Sequence, residues 1–289
     1  MRRAAFSLAP LACLLAATSL HAQEPEDDRI VVEGKRADAP TRREAMRQAR
    51  AVTASDNQRE TPLARFEDPV CFGVAGLAQD HAALLIDRLR DNAAMLDLRL
   101  RGDGCSPNFL VVFAPDALAT VEGLRKSRPL LFTYLNPGER AELAEPGPVH
   151  VLADVEPRTL TGMPIARVRN LEEPPRMGVH AAHTRIYTTT RRDIASVMVI
   201  FTADAVRGFS IGQLADYATM RGLARTRGAS DPALDTILAL FAPDGAPPAG
   251  LTDFDRAYLQ ALYTAQPNLP ALVKLAGVGQ RLEELQGED

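Results

Sequence analysis

The stretch from Gly208 to Ala224 constrains the architecture more than any other part of this chain. Ser210 and Gln213 have the spacing of a capping box, in which each side chain satisfies a backbone donor of the other residue. Ile211, Leu214, Ala215, Ala218 and Gly222 then share one small apolar face, while Met220 and Leu223 fall towards the other side. A helix that is apolar on most of its circumference has to be buried, so the rest of the chain must enclose it.

Upstream segments supply the enclosure. Val70 to Val74 predicts a short strand, and residues 78–96 follow helical period with Leu85, Leu89, Ala93 and Leu96 along one stripe. Phe109 to Phe113 is an unbroken apolar run suited to a strand covered on both faces. A helix near 115–126 completes a βαβα opening, for which parallel pairing is the natural expectation. Asn136 and Pro137 open a further short helix, and Val149 to Leu152 predicts a strand. Residues 154–180 carry Pro157, Pro164, Pro174 and Pro175 and read as an irregular connection. Thr184 to Thr189 and Ile194 to Phe201 predict two strands around a charged turn at Arg191 to Asp193. Asp231 and Pro232 signal a helix start, Thr252 to Asp255 caps another helix, and a last one spans about 270–284. The expected class is α+β: a mixed sheet, a buried central helix and a helical C-terminal part.

The N-terminus reads differently. Arg2 and Arg3 precede an apolar run from Ala4 to Ala17, and Ala22 offers a small residue for cleavage, the pattern of a secretory signal peptide over 1–22. The run is shorter than the roughly 20 residues a spanning helix needs. Cys13 lies inside it, three positions after Pro10, which argues against a lipid anchor. Residues 23–64 are polar and read as a flexible lead-in, with one helix possible after Thr41; its Arg42, Arg43, Arg47 and Arg50 suit a solvated face. The core domain is expected over 66–265, with 266–289 packed on it or trailing. Export makes the expected location periplasmic or extracellular.

Loss of the two leader arginines makes a chain of net charge −4 more acidic still, which gives no reason to expect nucleic-acid binding. Two cysteines outlast the leader, Cys71 and Cys105. In an oxidising compartment the pair reads as a disulfide, worth about 3–4 kcal/mol through loop entropy. Neither cysteine has a second metal ligand at short spacing, so a metal pair is disfavoured.

The segments Pro69 to Leu77, Gly104 to Phe113, Gln213 to Ala224 and Leu251 to Tyr263 resemble, in that order, a group of exported proteins of Gram-negative bacteria. More distantly the arrangement is similar to a bacterial zincin-like domain, where a strand precedes a helix bearing a metalloprotease-type motif. Such a helix needs ligands at i and i+4 and a glutamate beside the first. Matching Gly222 and Leu223 to the end of that motif places the ligand positions on Ala215 and Thr219 and the base position on Asp216. Alanine cannot bind zinc, so the resemblance implies a degenerate, metal-free zincin-like core.

No complete catalytic, cofactor or phosphate-binding motif stands elsewhere. His180 and His183 are a close pair but lead into an expected strand, where i and i+3 point to opposite faces. His81 and His150 read as hydrogen-bonded histidines at the edge of the core. If a site had been rebuilt, its candidates are Asp216, Tyr217, Thr219, His180 and His183, which would have to converge on one cleft, as in a periplasmic hydrolase. Ile30, Val31, Val32, Glu33 and Gly34, continuing to Arg36, resemble the short N-terminal box by which outer-membrane receptors engage an energy-transducing partner, by strand addition. The leading expectation is an exported, non-catalytic binding or structural protein without cofactor, with a rebuilt hydrolase and an adaptor acting through residues 30–36 as the competing readings.

Overall fold

The computed structural model describes residues 40–55, 57–133, 135–165, 186–243 and 245–287. The leader, the segment Ile30 to Gly34, and His180 and His183 lie outside the described residues. The fold is α+β. Its elements run α1 (Arg42–Val52), β1 (Phe72–Ala75), α2 (Gln79–Ala94), β2 (Phe109–Ala114), α3 (Ala117–Ser127), a 3-10 turn (Pro129–Phe132) and α4 (Pro137–Ala144). Then follow β3 (Val149–Thr159), β4 (Thr190–Thr202), α5 (Ile211–Leu223), a 3-10 turn (Ile237–Ala239), α6 (Asp253–Thr264) and α7 (Ala271–Gly287).

The sheet has the order β1-β2-β4-β3. β1, β2 and β4 are parallel, and β3 returns antiparallel along β4. The βαβ opening therefore forms as the apolar runs predict. A disulfide joins Cys71 to Cys105, with 6.1 Å between their Cα atoms, and ties the start of β1 to the turn before β2.

Alternation along the strands divides the apolar side chains between two faces. Phe109, Val111, Phe113, Val197, Val199 and Phe201 face the larger core, formed with α1, α2, α5, α6 and α7. Leu152 and Ile200 face the smaller one, with Ala117 and Val121 of α3 and Leu143 of α4. The capping box of Ser210 and Gln213 starts α5, and every residue from Leu214 to Leu223 is buried. Gly222 explains how the helix comes so close to the sheet. A Cβ there would lie 2.3 Å from the Phe109 ring, so only glycine permits this packing.

Residues 40–64, read in the sequence as part of a polar lead-in, contain α1. Thr41 and Glu44 form its capping box, and Ala45, Ala49 and Val52 are buried against a core shared with α7. The four arginines of that helix, Arg42, Arg43, Arg47 and Arg50, are exposed. The C-terminal segment packs on the core through Leu275, Val278 and Leu282.

Four expectations about local structure need correction. β3 does not stop before the prolines but runs through Pro157 to Thr159. It is an edge strand, and the Pro157 carbonyl accepts from the Ile165 amide, so the missing N–H faces away from β4. The charged triplet Arg191 to Asp193 is not a turn between two strands but part of the single strand β4. Its charges are matched locally: Arg191 lies 2.9 Å from Asp193, and Arg158 on β3 lies 3.5 Å from Asp193 and 2.8 Å from Asp68. Asp231 and Pro232 start only a turn, because the Asp231 carboxylate accepts from the Ala233 amide two residues on. His81 is exposed rather than at the core edge; burial along α2 begins one turn later, at Leu85. His150 is buried and its Nε2 is 3.0 Å from the Glu145 carbonyl oxygen, as a core histidine requires.

Candidate functional site

The helix that carries the sequence candidates is also the most enclosed element, so the first question is what its polar groups meet. Asp216 is 1% exposed. Its Oδ1 accepts from Arg88 Nε at 2.8 Å and from Asn92 Nδ2 at 2.7 Å. Its Oδ2 accepts from Arg88 Nη2 at 2.8 Å and from the Leu251 amide at 2.9 Å. The carboxylate thus holds four donors from three residues: α2 supplies a bidentate guanidinium and an amide side chain, and the entry to α6 supplies a backbone N–H. A bidentate pair of this kind is the strongest form of charge-assisted hydrogen bond. The hydrogen bond to Asp216 pushes Arg88 above its ordinary pKa. Gly250 makes the approach of the Leu251 segment possible, since a Cβ on it would sit 2.7 Å from Oδ2.

Thr219 belongs to the same cluster. Its hydroxyl donates to the Ala215 carbonyl at 2.9 Å and accepts from Asn92 Nδ2 at 2.9 Å. Tyr217 does not join them. Its ring stands edge-on to Phe241 at 5.0 Å, and its hydroxyl accepts from Arg221 at 3.1 Å. Arg221 in turn reaches Glu142 of α4 at 2.8 Å, and Arg225, just past the helix, pairs with Glu139. Burial alone would push Glu139 up; the charge and hydrogen bond of Arg225, the hydrogen bond at Asn136 and the charge of Arg192 together outweigh it and hold the carboxyl below its ordinary value. Successive residues of a helix point about 100° apart. Asp216 and Thr219 face α2, and Tyr217 faces the aromatic cluster of Phe201 and Phe241. The candidates that lie among the described residues do not converge on a cleft. Among the described residues no group of three histidine, cysteine or acidic side chains is placed to hold a metal ion.

A second polar centre lies at the α6–α7 junction. Arg65 donates to the carbonyls of Leu262, Tyr263 and Ala265, closing the C-terminal turn of α6. Close to it Lys274 is 2% exposed and donates to the Pro267 carbonyl at 3.1 Å. Burial first, and then the positive charge of Arg65, push its ammonium down to about 7. In α6 itself burial pushes Asp255 up to about 6, against donors from Ile237, Thr236 and Thr252. These groups brace helix ends.

Open concavities lie elsewhere: one of about 530 Å³ is bounded by α1 and residues 228–234, and another, with a continuous apolar floor, is on the other face of the sheet. A cavity of about 410 Å³ lies between α3, the 3-10 turn Pro129–Phe132 and α4. Val121, Phe132, Leu135 and Leu143 form its apolar part, and these residues also build or pack on the smaller core. Its polar wall comprises Glu122, Arg125, Thr133 and Arg140. On α3 the lining residues Leu118, Val121, Glu122 and Arg125 recur at helical spacing, so one stripe carries both apolar and charged side chains. That mixed stripe is the one signal in the sequence that could have marked the site. The role of α4 as the opposite wall has no local signature. Comparison of the chain with family models, with curated proteins and with solved structures finds no match to any of them.

Proposed function

We propose that this chain is an exported binding protein, periplasmic or secreted, that works without catalysis and takes its ligand in the cavity between α3 and α4. One observation carries the reading: all four acceptor directions of Asp216 are used inside the fold, and its neighbour Thr219 is spent on Ala215 and Asn92. A general base must have a free lone pair within reach of substrate. Asp216 is buried and has none. The degenerate zincin-like core stays part of this proposal, supported by alanine at position 215 and by the committed hydroxyl of Thr219. The disulfide between Cys71 and Cys105 is compatible with an oxidising compartment.

Calorimetric titration with zinc, together with a peptide-hydrolysis assay, tests the non-catalytic half. The expected result is no stoichiometric zinc binding and no cleavage; one zinc per chain with cleavage lost in Asp216→Asn would overturn it. Export is tested by the N-terminal mass of the protein recovered from the envelope or medium, expected near Gln23. A chain recovered from the cytoplasm with its first 22 residues intact contradicts export.

A further inference from the structure

The cavity between α3 and α4 has a chemical bias that narrows its ligand. Its apolar part is continuous with the smaller core through Val121 and Leu143, so a hydrocarbon placed there would extend a surface already out of water. Arg125 lines the cavity and has no hydrogen-bond or ion-pair partner among the described residues, although most of the arginines near the core are paired. Arg140, across from it on α4, makes one long bond of 3.4 Å to the Thr133 carbonyl and keeps its remaining donors. Two guanidinium groups over an apolar floor are suited to a carboxylate or phosphate head carrying an apolar tail. Glu122 is the one acid on the wall and disfavours a second anionic group on the ligand.

Size and surroundings add to this. About 410 Å³ lies towards the small end of ligand pockets, which suits a single chain and excludes a two-chain lipid. Leu130 is 83% exposed and stands in the 3-10 turn between Pro129 and Phe132, both of which line the cavity. An exposed leucine at the rim offers a contact for hydrocarbon that protrudes from the opening.

We infer that the α3–α4 cavity binds a single-chain amphiphile with one anionic head, of the medium-chain carboxylate class, with Arg125 as the principal head-group contact and Arg140 assisting. The inference rests on the binding reading above and adds the ligand class. Decanoate titrated into the purified, disulfide-bonded protein tests it, with decan-1-ol as the uncharged probe and methyl NMR to locate binding. Saturable one-to-one binding of decanoate is expected, at least fivefold tighter than decanol, with the methyl signals of Leu118, Val121 and Leu143 shifting. Arg125→Gln should weaken decanoate at least fivefold, leave decanol unchanged and leave the unfolding temperature where it was. Equal affinity for the two probes, or an Arg125→Gln protein that holds decanoate as tightly as the parent, overturns the anion assignment and leaves a binding cavity standing. Absence of binding by both probes, or shifts confined to other parts of the molecule, overturns the ligand class and the cavity reading together.

Discussion

The two faces of the sheet are treated in opposite ways. On one, α5 is buried over ten consecutive residues, glycine replaces any side chain that would hold helix and sheet apart, and the acid of the helix is saturated with donors. On the other, α3 and α4 cover a core of seven buried residues and leave a cavity between them, with an unpaired arginine on its wall. The difference teaches where to look for function. A side chain whose hydrogen bonds are all made internally maintains the fold, whereas unfilled volume beside an uncommitted charge is available to a ligand.

Substitutions on the two faces should therefore separate by size of effect. The largest is expected in pH dependence on the dense side. Lys274 has a folded-state pKa of about 7 against an ordinary 10.5, so between those values the unfolded chain binds a proton that the folded chain does not. Stability should rise with pH across that window, by at most about 1.4 kcal/mol per pH unit, and this contribution is lost as pH falls to 7. Arg65 and Glu67 face the amine with opposite signs, and the positive one adds to the burial penalty. Urea titrations at pH 7, 8 and 9 should show the rise in the parent protein and not in Lys274→Met. A variant with the parent's slope would remove Lys274 as its source.

Next comes Asp216→Ala, which leaves one N–H of Asn92 and the Leu251 amide without an acceptor in the interior. A loss of about 3 kcal/mol is expected, somewhat below a fully buried pair because Arg88 is partly exposed and can turn to solvent. A loss under 1 kcal/mol by urea unfolding would mean that the cluster does not hold α5 to α2. Gly222→Ala should cost about 2 kcal/mol through overpacking against Phe109. An unchanged midpoint there would show that helix and sheet can separate without cost. Arg125→Gln belongs at the foot of the series, within about 0.5 kcal/mol of the parent, since an exposed arginine without partners stabilises nothing.

Much of this contrast was legible in the sequence, and the parts that were not have physical causes. The burial of α5 followed from its all-round apolar pattern, and four capping boxes or capped starts placed α1, α4, α5 and α6 within a residue. The full length of β3 is hidden because proline at 157 reads as a strand breaker until the strand is known to lie at an edge. The charges at Arg191 and Asp193 read as a turn because, beyond their pairing with each other, their partners Glu67 and Arg158 come from elsewhere in the chain. Asp216 stands out in the sequence as an acid on a buried helix, but nothing local tells whether it faces a cleft or a guanidinium. Arg88 and Asn92, 128 and 124 positions away, decide that. The cavity is invisible in the sequence for the same reason, since its two walls come from helices whose approach no periodicity encodes.

Native-state hydrogen exchange tests most directly whether α5 is a structural keystone and the α3–α4 side the adaptable one. Amides of α5 from Ala218 to Leu223 are expected to exchange only through global unfolding, while those of α4 exchange through a smaller opening several kcal/mol lower. Sub-global opening of α5 with α4 still protected would expose Asp216 on the protein's working timescale and contradict the account.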